Sequence, residues 1–216
     1  MTAVDASIVA ELDRRGVTEA RHFTTSRGLL GVLQTGRLLS RKHLAAEEEL
    51  RLIAMNNCYK RWDRDWFGHV SLSIQRINGH LYGISSGAWH AGEDLWWAVL
   101  GFDREVLAHD GVVFTTTNNG YWSVVEQATG RAGLDAAFGD EVTTWRSGRK
   151  VLRRGALTPN QTTCPEAEAL YPDAVDTVWL RTVYVPQPEL ADTVHGWFEA
   201  TMHPPVDVVY DPEAFA

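Results

Sequence analysis

Cysteine is scarce in this 216-residue chain. Its two residues, Cys58 and Cys164, cannot build a disulfide framework or a four-cysteine zinc site. The eight histidines are scattered and none falls in H-E-x-x-H spacing, so no metal is called for. Long apolar runs are missing too: nothing approaches the roughly 18 residues of a membrane span. Residues 1–15 carry Asp5, Glu11 and Asp13 and have no apolar signal core. These absences predict a protein of the reducing cytoplasm with no membrane partner. Positive charge is in deficit, with 20 Lys and Arg against 28 Asp and Glu and a net charge of −8. That balance disfavours nonspecific duplex binding, which depends on neutralising phosphates. The exception is local: Arg146, Arg149, Lys150, Arg153 and Arg154 fall within nine residues.

What is present is core-forming material. Hydrophobic residues make up 44% of the chain, with 9 Trp, 6 Tyr and 7 Phe, enough for one folded domain. Periodicity and capping predict a helix over 7–15, a strand over 19–24, and a helix capped by Thr25 or Ser26, faced by Leu29, Val32 and Leu33 and stopped at Gly36. A helix is predicted over 44–59, with Glu47, Glu48 and Glu49 near its start. The alternation of Val70, Leu72 and Ile74 against Ser71 and Ser73 predicts a half-buried strand. The apolar run 95–102, with Trp96 and Trp97, predicts a central strand. A short strand over 112–115, a helix over 121–129, a long loop around a short helix over 139–163, and strands over 167–171 and 177–185 follow. Pro188 opens a helix faced by Leu190, Val194, Trp197 and Phe198, and 206–210 is a last strand. Strands and helices mix without regular alternation, so the fold class is α+β.

Two short segments carry the chemistry. His22 and Thr24 alternate on one strand and point to one face. Glu166 and Glu168 stand in the same relation near the other end. A cleft holding both pairs suits a dinucleotide whose nicotinamide leaves through a cationic, oxocarbenium-like ribose. A carboxylate at Glu168, hydrogen-bonded to the ribose 2′-hydroxyl, would stabilise that charge as it develops, as glycosidase carboxylates do. Glu166 would orient the acceptor or take its proton. His22 would donate to a ribose hydroxyl while Thr24 contacts the nicotinamide end. Trp62, Trp66, Trp89, Trp96, Trp97, Trp122 and Trp145 are candidates for stacking on nicotinamide or unpaired bases. Trp145, inside the basic segment, is the best placed of them. The turn-forming run Thr115–Gly120 reads as a cap for the helix after it.

In order, these segments resemble the DarT family of DNA ADP-ribosyltransferase toxins. The likeness lies in His22-Phe23-Thr24 with Leu29-Leu30-Gly31-Val32-Leu33 and Gly36-Arg37-Leu38-Leu39, in Gly68 through His80-Leu81-Tyr82 and Ser86-Gly87-Ala88, in Val113-Phe114-Thr115 through Gly120, and in Ala167-Glu168-Ala169-Leu170. It covers about residues 20–212. The resemblance implies a single α+β domain with a central split sheet flanked by helices. It implies NAD as co-substrate without a metal, and a base of single-stranded DNA as acceptor. It also implies a toxin paired with a macrodomain antitoxin. It places catalysis on Glu168 and NAD on His22 and Thr24, with Ser71 and Tyr82 as further candidates. The target site falls on Glu166, Trp145, Arg146, Arg149, Arg153 and Arg154. The sequence departs from the family pattern in Ser71-Leu72-Ser73, where many members are aromatic, and in Glu166, where Gln is common. It also lacks a clear counterpart of a helical Arg, with Asn57, Cys58, Lys60 and Arg61 nearby. An E-x-E pair also resembles transferases that modify arginine in proteins. An RNA or protein acceptor, or a silent NAD- or nucleic-acid-binding module, therefore stays open.

Overall fold

The structure, a computed structural model, describes residues 2–46, 66–90 and 93–216. The expected helix over 44–59, Trp62, and the candidate counterparts of the helical Arg lie outside the described residues, except that a helix Arg41–Ala46 (α3) stands at its start.

An eight-stranded sheet organises the chain. Its strands are β1 (Glu19–Thr25), β3 (His69–Ile74), β4 (Trp97–Asp103), β5 (Val113–Thr115), β6 (Gln127–Thr129), β9 (Glu168–Pro172), β11 (Leu180–Val185) and β12 (Asp207–Tyr210), in the order β12-β11-β4-β1-β3-β9-β5-β6. Neighbours are antiparallel except β11 and β12. That parallel pair is joined by a helix, Leu190–Thr201 (α6), as a parallel connection requires. A small ladder pairs β2 (Arg37–Leu39) with β10 (Ala174–Asp176).

Burial follows the sequence pattern. Residues 97–102 of β4 are buried throughout, as expected of a strand covered on both faces. Helix α1 (Ala6–Arg15) is capped by Asp5, whose side chain accepts from the Ser7 and Ile8 backbone N–H groups. Helix α2 (Ser26–Thr35) is capped by Thr25 and ends at Gly36. There φ is +68°, a conformation only glycine adopts without strain. Leu29, Val32 and Leu33 of α2 and Val194 and Phe198 of α6 fill the main core. Trp96 stacks on Trp197 at 5.3 Å and 16°. A second cluster gathers Phe23, Ile77, Tyr82, Trp97, Val99 and Phe215.

Three expectations are corrected. Residues 121–129 form a turn and then strand β6, not a helix. Pairing with β5, reinforced by Thr116 N–H to Glu126 O at 3.0 Å, outweighs local propensity. The segment 139–163 holds a hairpin of β7 (Glu141–Thr144) and β8 (Lys150–Arg153), not a short helix. Within the two strands only Val142 and Thr144 are buried, so the period-two signal is too sparse to read among charged neighbours. Residues 177–179 form a 3₁₀ turn before β11.

Candidate active site

The sheet opens at its middle. β1 pairs with β4 along its full length but with β3 at two positions only, Ala20 with Ile74 and Arg21 with Ser73. Beyond Arg21 the strands part, which is the split expected of the sheet. The cavity there is lined by His22, Thr24, Ser71 and Glu168 among others, so four residues drawn from three strands meet in one place.

Glu168 opens β9 and is 4% exposed. Its Oε2 accepts from the Asn119 backbone N–H at 2.9 Å, and its own N–H donates to Thr115 Oγ1 at 3.0 Å. The Thr115 hydroxyl in turn donates to the Thr117 carbonyl at 2.7 Å. The run 115–120, expected to cap a helix, instead holds the carboxylate. A buried carboxylate is expensive to desolvate, and backbone donors of this kind are what keep it usable.

His22 is half-buried beside the split. Its Nδ1 lies 2.9 Å from the Ser71 carbonyl, which can only accept, so the Nδ1 proton is committed there. Burial pushes the imidazole below its ordinary value, with the Ser71 carbonyl opposing. The ring is therefore neutral at pH 7 and its Nε2 is an acceptor. That nitrogen can accept a hydrogen bond from a ligand hydroxyl, whereas the Nδ1 proton that could be donated is held by Ser71. Ser71 acts through its carbonyl in this contact.

Thr24 reaches the cavity because residue 28 is glycine. A Cβ on Gly28 would land on the Thr24 hydroxyl. Gly28→Ala is expected to turn that hydroxyl out of the cavity and raise KM for NAD about tenfold. Stability should change by less than about 1 kcal/mol, since alanine favours the helix. Initial-rate kinetics beside a urea titration would check this; an unchanged KM would remove Thr24 from the site.

Other candidates lie elsewhere. Tyr82 does not line the cavity; it packs edge-on against Phe23 and Trp97 at 5.6 and 5.7 Å and supports that wall from behind. Glu166 is not on a strand with Glu168: it sits in a turn, where Ala167 N–H meets Cys164 O at 3.0 Å. It is 2% exposed and outside the cavity lining. The Tyr121 hydroxyl is pushed up to about 12, chiefly by burial and then by the Glu166 charge beside it. Burial also raises the Cys164 thiol, whose Sγ lies 3.3 Å from Thr117 Oγ1.

The basic segment divides by geometry. Trp145, Arg146 and Arg149 stand exposed at the hairpin tip, and Trp145 is 48% exposed. Arg153 is exposed and pairs across the hairpin with Glu141 at 3.1 Å. Arg154 is a structural residue: it donates to the carbonyls of Gln161, Thr158 and Pro159 at 2.8, 2.9 and 3.0 Å and lies over the Phe138 ring. Trp122, in the turn after the Glu168-holding loop, is 85% exposed. Trp66 and Trp89 line the cavity.

Sequence reading missed Asn78, Gly28 and the Asn119 N–H. Asn78 is 4% exposed and lines the cavity. An Asn before a short helical stretch reads only as a cap, and a backbone donor has no sequence signature. Among the described residues no group of His, Cys, Asp and Glu could hold a metal ion, and no helix is long and apolar enough to cross a membrane.

The family model described as ssDNA thymidine ADP-ribosyltransferase, DarT, matches residues 21–216. The fold is similar to that of Thermus sp. 2.9 DarT in complex with NAD+, at a TM-score of 0.62 and 15% identity over 92% of this chain and 98% of that one. It is similar to the same protein in complex with ADP-ribosylated ssDNA, at 0.61 and 14% over 100% of both chains. Thermosipho africanus DarTG in complex with ADP-ribose matches at 0.52 and 14%, over 91% of this chain and 50% of that one. No curated protein matches the sequence.

Proposed function

From the premise that the chain belongs to the DarT family, we propose that it transfers ADP-ribose from NAD to a thymine base of single-stranded DNA. The observation that carries this is Glu168, buried, held by a backbone N–H, and facing the same split cavity as His22 and Thr24. In the reaction the bond from nicotinamide to the ribose C1′ breaks and nicotinamide departs with the electron pair. The acceptor base bonds to C1′ through a ring nitrogen, whose proton passes to solvent water. The Glu168 carboxylate stabilises the positive charge that builds on the ribose between those events. His22 Nε2 and Thr24 hold the dinucleotide, and Ser71 fixes the His22 ring. Arg37 and Arg41 on the cavity wall supply positive charge for the pyrophosphate.

Trp145, Arg146, Arg149 and Arg153 form the acceptor surface, joining a stacking ring to phosphate-binding cations. A transferase acting on protein arginine would want Glu166 in the cavity. Its burial outside the lining favours the nucleic-acid acceptor. The chain spans half of the DarTG chain it resembles. That supports a macrodomain antitoxin as the partner that holds this activity in check, with the pair acting in the cytoplasm.

Purified protein incubated with NAD and single-stranded oligonucleotides, read by intact mass, tests the reading. A gain of one ADP-ribose on thymine-containing strands alone is expected. No gain on any strand, with no nicotinamide released, would overturn it. The paired variant Arg146→Ser/Arg149→Ser should bind the same strands more weakly. Its slope of log Kd against log salt should be smaller by about 1.4, at roughly 0.7 per lost phosphate contact.

A further inference from the structure

Ser73 stands in one row with two other cavity residues. Across the ladder it lies directly opposite Glu168 on β9 and Arg21 on β1. Residues so paired in antiparallel strands share a face and hold their Cβ atoms about 4.5–5.5 Å apart. The Ser73 side chain therefore sits beside that of Glu168, at the root of the split, and both residues line the cavity.

The Ser73 hydroxyl is uncommitted. It makes no hydrogen bond to any described residue, although Ser73 is only 9% exposed. It does not belong to the fully occluded polar atoms, so it keeps surface that a ligand can reach. Its other neighbour in the row is drawn away. Arg21 Nε donates to Glu19 at 2.8 Å, Nη2 donates to the Tyr184 hydroxyl at 3.2 Å, and the guanidinium lies over the Tyr184 ring. Gly101, opposite Arg21 on β4, makes room for this, since a Cβ there would lie 3.0 Å from Glu19 Oε1. The helix Gly79–Ile84 (α4) shelters the same face: its Tyr82 packs on Phe23 and Trp97, and its Leu81 lines the cavity. A sheltered hydroxyl with no protein partner, next to the carboxylate of the site, is placed to bond a ligand.

We propose that Ser73 is a further substrate-binding residue of the transfer reaction. Its hydroxyl donates to the 3′ oxygen of the nicotinamide ribose, while Glu168 accepts from the adjacent 2′-hydroxyl. This rests on the NAD reading above. Two side chains paired across a ladder are spaced for neighbouring groups on one sugar ring. Holding the 3′ oxygen turns the ring so that the 2′-hydroxyl meets the carboxylate.

Ser73→Ala removes the hydroxyl and breaks no hydrogen bond within the protein, so its urea midpoint should match that of the parent. Kd would be measured for ADP-ribose, which carries this ribose, and for ADP, which lacks it. The variant is expected to bind ADP-ribose about fivefold more weakly, and ADP within about twofold of the parent. An ADP-ribose analogue lacking the terminal 3′-hydroxyl should bind parent and variant alike. Unchanged ADP-ribose affinity, or equal weakening of ADP, would overturn the assignment. So would an analogue that still tells the two proteins apart, because the contact would then lie elsewhere than the 3′ oxygen. A parent protein that neither binds ADP-ribose nor releases nicotinamide would instead sink the NAD reading, and this proposal with it.

Discussion

Glu168→Gln is expected to lower nicotinamide release and ADP-ribose transfer at least about 10²-fold while leaving the fold intact and NAD affinity nearly unchanged. Gln has the shape of Glu, and its Oε1 can still accept from the Asn119 N–H that now meets the carboxylate at 2.9 Å. What it loses is the negative charge. Bound NAD has little positive charge at the ribose carbon; the transition state has much more. Removing the charge therefore acts on kcat rather than on binding. Single-turnover rates together with NAD titration would separate the two. Wild-type transfer by this variant would take Glu168 out of the mechanism. A loss confined to NAD affinity would make it a binding residue instead.

Glu11→Ala is expected to destabilise the fold by about 3 kcal/mol at pH 7. Glu11 is 1% exposed and is the common partner of Arg14, of Arg15 Nε at 2.6 Å and of Arg131 Nη2 at 2.8 Å. Through Arg131 it ties α1 to the helix Gly130–Ala137 (α5). Truncation would leave Arg15, itself mostly buried above the Phe138 ring, and Arg131 with only Asp135 as a shared carboxylate, 3.8 Å from Arg15 and 2.8 Å from Arg131. The Arg14 hydrogen bond, aided by the charges of Arg15 and Arg131 and opposed by burial, lowers Glu11 from 4.5 to about 2. Because the folded value lies below the unfolded one, the stabilisation is fully present above pH 4.5 and is lost as pH falls toward 2. Urea midpoints of parent and Glu11→Gln should differ at pH 7 and converge between pH 4.5 and 2. A difference that persists at pH 2 would show that packing, not charge, sets the effect.

The sequence by itself determined the elements whose signals are local. The cap at Thr25, the stop at Gly36, the apolar run of β4 and the stripe of α6 depend on residues within a turn or two of each other. A reader of the chain recovers them without knowing the fold. The order of the His22-Phe23-Thr24 and Ala167-Glu168 segments likewise pointed to the family and to Glu168 as the candidate carboxylate. Tertiary structure alone decided the rest. Strand β6 exists because β5 completes its ladder, and β7 and β8 complete each other's, which outweighs weak local preference. Glu166 and Glu168 share a spacing but not a strand, so one carboxylate meets the cavity and the other is buried beside Tyr121. Arg154 belongs to the same charge run as Arg146, yet backbone carbonyls of residues 158–161 claim it. The direction of the His22 hydrogen bond depends on Ser71, 49 residues away. In each case the residue type fixes what a group can do. Its role follows from which groups the fold sets within about 3 Å of it, since hydrogen bonds and ion pairs lose their directing power beyond that range.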